Sequence, residues 1–161
     1  MRGRPLHHVA LTPRDWQASQ RFYQDGLGLE PIADLPGLDG DWKHLFDGPS
    51  NELRSIFFGS PDHTNAGVVE LVVFSDDDPS GRHEAPPEIV NGFFLLSFYV
   101  DDVDETIERL ERLGLCREPK RTTLGRGEHA FTVGTVRDPD GTLIELVGRP
   151  ADRGLVGPTS G

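Results

Sequence analysis

Three side chains that can bind a cation or move a proton interrupt apolar segments of this sequence: His8, Glu70 and Glu145. Imidazole and carboxylate groups are common general acids and bases in enzymes, and both bind divalent metal ions. A carboxylate flanked by aliphatic residues is costly to bury unless a charged or metal partner faces it. Glu70 follows Val69 and Glu145 follows Ile144, so the same cost arises twice. Each of the three also has a simpler interpretation, as an ordinary residue of a strand or of a sheet edge.

The strands that carry these side chains are predicted to turn them toward one face. Successive residues of a strand point to opposite faces of the sheet. The helix-facing positions of the last strand in each half are apolar: Val69, Leu71 and Val73 in one, Ile144 and Leu146 in the other. Glu70 and Glu145 then lie on the opposite face, and His8 shares a face of its strand with Ala10 and Thr12. A sheet covered by helices on one side therefore has an open, concave side that bears all three.

The two halves of the chain repeat one pattern. Each is predicted as a strand, a capped helix that ends at a Leu-Gly-Leu triplet, and about three further strands, the last of which carries a lone glutamate. The triplets are residues 27–29 and 113–115, and Leu-Val follows the glutamate in both halves. Such an internal βαβββ repeat predicts that the two halves share one fold.

In the first half, strands are predicted over residues 6–12, 45–46, 56–58 and 67–74. Thr12 is expected to cap the first helix, with Pro13 in its first position and Asp15 in a capping box. Gly26 and Gly28 are expected to end that helix.

In the second half, strands are predicted over residues 93–100, 115–116, 131–136 and 143–147. Asp101 and Asp102 are expected to cap a helix that Gly114 ends. The tight turn Asp-Pro-Asp-Gly at residues 138–141 joins the last two strands. Phe98, Leu110 and Leu146 are predicted core residues, whose truncation to alanine should cost about 2–5 kcal/mol.

Composition limits the possible partners. The 161 residues contain 16 Lys and Arg against 27 Asp and Glu, a formal charge of −11, which disfavours nucleic acid. The single cysteine, Cys116, excludes an internal disulfide and a cysteine-rich zinc site. No apolar run approaches the roughly 18 residues that span a bilayer, and no signal-peptide core follows the basic N-terminus. A cytoplasmic location without a membrane partner is therefore expected.

The chain is expected to divide into a lead at residues 1–4, a first βαβββ module at 5–74, a polar linker at 75–91, a second module at 92–148 and a flexible tail at 149–161. The predicted fold class is α+β, with paired βαβββ modules that form a cup-shaped mixed sheet and helices on the outside. Because one module leaves the far face of its sheet uncovered, the two modules are expected to share one sheet surface or to exchange partners across a dimer.

The sequence resembles the vicinal oxygen chelate superfamily over roughly residues 5–148. The resemblance is carried by His-Val-Ala-Leu-Thr at residues 8–12, by Phe-Tyr at 22–23 and Leu-Gly at 27–28, and by Asp-Pro-Asp-Gly at 138–141 before Ile-Glu-Leu at 144–146. The superfamily includes glyoxalase I, fosfomycin and bleomycin resistance proteins, methylmalonyl-CoA epimerase and extradiol dioxygenases. The resemblance implies one divalent metal ion, held by side chains from the first and last strands of the modules.

Carried onto this chain, the resemblance assigns His8, Glu70 and Glu145 as ligands of Fe, Mn, Ni, Co or Zn, and the two glutamates as catalytic candidates. Leu95 stands where glyoxalase I and the dioxygenases usually supply a histidine, so one ligand of the pattern is missing. One histidine and two glutamates also differ from the two-histidine, one-carboxylate triad of non-haem iron oxygenases. His129 is a candidate to replace the missing ligand.

Three functions stay open at the level of sequence. The first is a metal-dependent glyoxalase-like isomerase or lyase acting on a small substrate with vicinal oxygens, with Glu145 or Glu70 as the base. The second is a ring-cleaving or other metal-dependent dioxygenase on an aromatic or polyketide-like compound. The third is a resistance protein that sequesters a drug or metabolite without catalysis. The substrate pocket is predicted to include Phe93, Leu95, Ser97 and Tyr99.

Overall fold

The computed structural model describes residues 6–60, 67–76, 91–127 and 130–148. The chain divides into two compact units, Met1–Glu84 and Ala85–Gly161. The predicted lead, most of the predicted linker and the predicted tail lie outside the described residues, as does His129. None of the helices in the described ranges is long and apolar enough to cross a membrane.

The described residues of the first unit form one four-stranded sheet and three helical segments. Its elements are β1 (His8–Leu11), α1 (Trp16–Arg21), a π-helical turn (Phe22–Gly26), β2 (Glu30–Asp39), α2 (Trp42–Phe46), β3 (Glu52–Gly59) and β4 (Val68–Phe74). The strand order is β1-β4-β3-β2. β1 is parallel to β4, and the other two pairs are antiparallel.

The second unit repeats this architecture. Its elements are β5 (Leu96–Val100), α3 (Val103–Arg112), β6 (Arg117–Leu124), β7 (Phe131–Arg137) and β8 (Leu143–Gly148). The order is β5-β8-β7-β6, with β5 parallel to β8 and the other pairs antiparallel. The two sheets thus have the same order and the same strand directions, which confirms the internal repeat and the α+β class.

Each unit packs its main helix against one face of its sheet. α3 buries Val103, Ile107 and Leu110. Gly134 of β7 lies beneath α3, where an added Cβ would come within 2.8 Å of the Val103 side chain, so only glycine allows this close approach. Most of the strand residues predicted to face the helices are buried: Val69 and Leu71 in β4, and Ile144 and Leu146 in β8. Val73 of β4 is only half-buried.

The start of the first helix differs from the prediction. α1 begins at Trp16, and Asp15 rather than Thr12 is its N-cap, because the Asp15 carboxylate accepts a hydrogen bond from the Ala18 amide at 3.0 Å. Pro13 therefore precedes the helix instead of occupying its first position. In the second unit, the cap was predicted correctly: Asp102 accepts a hydrogen bond from the Glu105 amide at 2.9 Å.

Two of the predicted strands are wrong. Residues 45–46 belong to α2, a single helical turn in which the rings of Trp42 and Phe46 stack at 5.4 Å. Residues 115–116 precede β6, which begins at Arg117 and consists mainly of exposed polar and charged residues. In the described part of the chain, no strand pairs with either of these short apolar runs.

One strand was missed and another was predicted too long. β2 carries Pro31, Pro36 and Gly37, and two register shifts in its pairing with β3 accommodate them at the edge of the sheet. β5 begins only at Leu96, so Phe94 is 49% exposed rather than covered by helices. Among the predicted core residues, Leu110 and Leu146 are fully buried, whereas Phe98 is only half-buried.

Candidate metal and acid–base site

β1 and β4 bring His8 and Glu70 together on the face of the first sheet that α1 does not cover. The register pairs Ala10 with Glu70 and His8 with Val68, so the imidazole lies two residues before the position opposite the carboxylate. His8 Nε2 is 3.2 Å from Glu70 Oε2. The Glu70 side chain is 13% exposed and that of His8 is 38% exposed. A solute can therefore reach the pair.

Two aromatic rings also contact His8. The Nδ1 atoms of His7 and His8 are 2.6 Å apart, so one ring donates a hydrogen bond and the other accepts it. The ring of Phe57 meets His8 edge-on, with a centroid separation of 6.0 Å. Of the two adjacent histidines, His8 is therefore the one that faces Glu70 on the open side.

A buried serine completes the surroundings of Glu70. Ser55 of β3 is 1% exposed, and its hydroxyl donates a hydrogen bond to Glu70 Oε1. Both oxygens of Glu70 are thus engaged, Oε1 by Ser55 and Oε2 by His8. The sequence-based reasoning missed Ser55. The available signal was a hydroxyl residue beside the apolar run that begins at Ile56.

The second unit holds its glutamate differently. Ser97 of β5 lies directly opposite Glu145 of β8. The Ser97 hydroxyl donates a hydrogen bond to Glu145 Oε2 at 2.6 Å. Within the described part of the chain, this is the one polar contact of the Glu145 carboxylate, so Oε1 is left without a protein partner there.

Leu95 occupies the place in the second unit that His8 occupies in the first. Ala10 lies opposite Glu70, and Ser97 lies opposite Glu145. His8 lies two residues before Ala10, and Leu95 lies two residues before Ser97. Leu95 is half-buried and directly precedes β5. The register therefore places an aliphatic side chain, not an imidazole, at this position beside Glu145.

The predicted pocket residues divide into two groups. Ser97 and Tyr99 alternate with the helix-side residues of β5 and share a face with Glu145, and Tyr99 is 47% exposed. Phe93 and Leu95 precede the strand, and Phe93 is 58% exposed.

Trp42 packs against the Glu70 face of the first sheet near one end. Its ring contacts the buried cluster of Leu53, Val72 and Phe74, and its indole N–H donates a hydrogen bond to the Leu38 carbonyl at 3.0 Å. Trp42 therefore covers part of this face and leaves the His8–Glu70 end open.

The donor set fits a divalent metal ion in ligand type. His8 and Glu70 present an imidazole nitrogen and a carboxylate oxygen on one face, which are ligand types that first-row divalent metals accept. Glu145 is a further carboxylate, in the second unit. In the described ranges, no group of three or more His, Cys, Asp or Glu side chains is placed to hold a metal ion. The first unit thus brings together two of the three predicted ligands.

Cys116 is a poor candidate for metal binding or nucleophilic catalysis. Burial raises the pKa of its thiol, and the charge of Glu111 raises it further. A protonated thiol is a weak nucleophile and a weak metal ligand.

Comparison with known proteins gives consistent matches. The chain matches the family model of the Glyoxalase/Bleomycin resistance protein/Dioxygenase superfamily over residues 5–146. It is 37% identical over 150 residues to the lactoylglutathione lyase-like protein terB of Aspergillus terreus, covering 90% of this chain and 75% of that protein. It is 28% identical over 163 residues to glyoxalase I of Saccharomyces cerevisiae, covering 94% of this chain and 48% of that protein.

A solved structure shows the same fold. The trypanothione-dependent glyoxalase I of Leishmania major superposes with a TM-score of 0.58 at 19% identity, and the match covers 91% of this chain and 87% of that one.

Proposed function

The chain belongs to the Glyoxalase/Bleomycin resistance protein/Dioxygenase superfamily, and we propose that it is a divalent-metal-dependent, glyoxalase-like isomerase or lyase. Its proposed substrate is a small molecule with oxygens on neighbouring carbons. The observation that carries the proposal is the contact between His8 and Glu70 on an open sheet face, at 3.2 Å. The relatives named for glyoxalase chemistry support it.

The proposed metal ligands are His8, Glu70 and Glu145. A neutral imidazole and two carboxylates carry a charge of −2, which balances a divalent cation. A bound divalent metal supplies Lewis-acid stabilisation of the negative charge that develops on substrate oxygens. The two hydroxyl donors, Ser55 and Ser97, fix the carboxylates in orientation.

Glu145 is the proposed base. Its Oε2 is held by Ser97, while its Oε1 has no protein partner among the described residues. Both oxygens of Glu70 are engaged. Glu145 can take the proton from a carbon that bears a hydroxyl beside a carbonyl and return it to the neighbouring carbon. The hydroxyl proton passes to the former carbonyl oxygen, so the isomerisation balances without an oxidant or reductant.

Two further expectations accompany this proposal. Phe93, Leu95, Ser97 and Tyr99 are proposed to contact the substrate. A homodimer is also proposed, because members of this superfamily with two modules often assemble in that way. Sedimentation at micromolar concentration tests the assembly, and a monomer would contradict it.

Proton exchange is the direct test of the proposed function. Protein loaded with Fe, Mn, Ni, Co or Zn is mixed in D₂O with hemithioacetals of methylglyoxal and with small hydroxyketones, and deuterium incorporation is followed by NMR. The wild type should exchange or isomerise at least one substrate. The activity should be lost with a chelator and in Glu145→Gln, but kept in the control Glu108→Gln on the exposed side of α3. Absence of exchange with every metal contradicts the proposal.

One observation favours a second candidate function, sequestration of a small molecule. Leu95 replaces an imidazole beside Glu145, which leaves one ligand fewer than the superfamily pattern. Tight stoichiometric binding of a ligand by metal-free protein, without turnover, would support sequestration over catalysis.

A further inference from the structure

Four side chains form a row across one face of the second sheet. The register pairs Ser97 with Glu145, Glu145 with Thr135, and Thr135 with Lys120. Residues directly opposite each other on neighbouring strands point to the same face. This polar row therefore runs from β5 to β6 in the order Ser97, Glu145, Thr135 and Lys120.

The direction of Lys120 is established by the residue after it. Arg121 Nε lies 2.6 Å from Asp104 Oδ1 on α3, and the register partner of Arg121 is Gly134, which lies beneath α3. Arg121 thus points to the helix side of the sheet. Because side chains alternate along a strand, Lys120 points to the opposite side, the side of Glu145.

Lys120 differs from the other cations of this sheet because it has no ion-pair partner among the described residues. Asp104 pairs with Arg121, while Arg137 Nη1 donates to the Gly141 carbonyl at 2.7 Å and its Nε lies 3.4 Å from Glu118. Lys120 is exposed and makes no ion pair with any described residue. In a chain of net charge −11, an unpaired ammonium group provides a local attraction for an anion that the rest of the surface repels.

The first unit lacks this arrangement at the same register level. The corresponding row is Ala10, Glu70, Phe57 and Ala33. Only the glutamate is common to the two rows. The hydroxyls and the ammonium group are therefore particular to the second unit and are not a consequence of the shared fold.

From this row we infer that the second unit binds a substrate with an anionic group, a carboxylate or a phosphate, which Lys120 neutralises. The inference rests on the proposed function, in which Glu145 is the base. Lys120 and Glu145 lie two strand spacings apart, about 10 Å between backbones. One small molecule can thus place its reacting carbon at Glu145 and its anionic group at Lys120, with the Thr135 hydroxyl between them.

Binding to metal-free protein separates this inference from the proposed activity. Isotope-labelled protein is titrated by NMR with two matched pairs of probes: levulinate against levulinamide, and dihydroxyacetone phosphate against dihydroxyacetone. We expect at least one anionic probe to bind about fivefold more tightly than its neutral partner and to shift the amide resonances of Thr135 and Lys120. The pair that shows the difference identifies the group as carboxylate or phosphate.

Matched variants locate the effect. The preference for the anion should disappear in Lys120→Met and persist in Lys120→Arg. It should also persist in Arg121→Met, which removes a neighbouring charge from the opposite face. Equal binding of charged and neutral probes, or an unchanged preference in Lys120→Met, overturns the inference. An equal loss in Arg121→Met overturns it as well, because the effect would then reflect net charge alone. None of these outcomes depends on metal or turnover.

Discussion

The two units place a glutamate at the same point of the same sheet and surround it differently. Glu70 has an imidazole on one oxygen and a buried hydroxyl on the other, whereas Glu145 has a hydroxyl on one oxygen and no described residue on the other. The hydroxyls come from opposite neighbours, Ser55 on β3 and Ser97 on β5. The repeated fold thus determines where the carboxylate lies. Single residues on the flanking strands determine whether it is held on both oxygens or can accept a proton.

The largest expected effect separates the two glutamates by role. Glu145→Gln keeps the shape of the side chain but removes the proton acceptor, so kcat should fall about 100- to 10,000-fold. Glu70→Gln should act mainly through loss of metal. Its activity should therefore recover with excess metal, whereas that of Glu145→Gln should not. Measurement of kcat against metal concentration distinguishes the two, and equal recovery in both variants would contradict the division of roles.

The helix-facing neighbours of these glutamates should behave alike. Leu71 and Leu146 each follow a glutamate and are each fully buried. Leu71→Ala and Leu146→Ala should each reduce the free energy of unfolding by about 2–5 kcal/mol, because each removes buried methyl groups and leaves a cavity. Chemical denaturation measures this. A loss below about 0.5 kcal/mol in either variant is typical of surface sites and would mean that the strand faces are inverted there.

Leu95→His should make the second unit resemble the first. The register gives this position the same relation to Glu145 that His8 has to Glu70. We expect the added imidazole to strengthen metal binding about tenfold, measured by competition with a chromogenic chelator. Leu95→Gln, which is polar but lacks an imidazole, serves as the control. An equal effect of both substitutions would contradict the equivalence of the two positions.

The smallest expected effect on stability concerns the contacts that arginine side chains make on the helix side of each sheet. In the first unit, Arg54 Nη2 lies 2.6 Å from Asp34 Oδ2, and its guanidinium lies 4.2 Å from the ring centroid of Trp16. The Arg54 hydrogen bond lowers the pKa of Asp34 below its ordinary value of 3.8. The ionised Asp34 thus stabilises the fold above this value, and the stabilisation is lost as the pH falls through the lower pKa of the folded state.

Arg54→Met should therefore reduce stability at pH 7 by about 1 kcal/mol or less, since the pair is well exposed. The difference from the wild type should shrink below pH 3.8. Thermal unfolding measured between pH 2 and pH 7 tests this. Parallel curves over the whole range would contradict it. The matched variant Arg121→Met removes the corresponding contact between β6 and α3 in the second unit.

The elements that the sequence predicted well carry strong local signals. β8 alternates around its glutamate, β4 is an apolar run that only its glutamate interrupts, and Asp102 caps a helix whose apolar residues recur at helical spacing. β2 and β6 are edge strands with few apolar residues, held mainly by pairing with a neighbour. Pairing with a neighbouring strand leaves no pattern in the local sequence. β2 was therefore not predicted, and β6 was predicted at the wrong residues.

Prediction of the candidate site from sequence was limited in the same way. His8, Glu70 and Glu145 could be selected as candidates because polar residues inside apolar strands are conspicuous. The hydrogen bond from Ser55 and the position of Lys120 depend on strand register. Register is fixed by tertiary pairing, and one sequence alone does not reveal it.

Metal content of purified protein tests the central claim most directly. The wild type and the variants His8→Ala, Glu70→Gln, Glu145→Gln and Glu108→Gln are expressed with supplemented metal, purified without chelator and analysed by elemental mass spectrometry. The account predicts a stoichiometric divalent metal in the wild type and in Glu108→Gln, and a clear loss in the other three. Equal metal content in all five proteins, or none in any of them, would contradict it and leave a metal-free binding face.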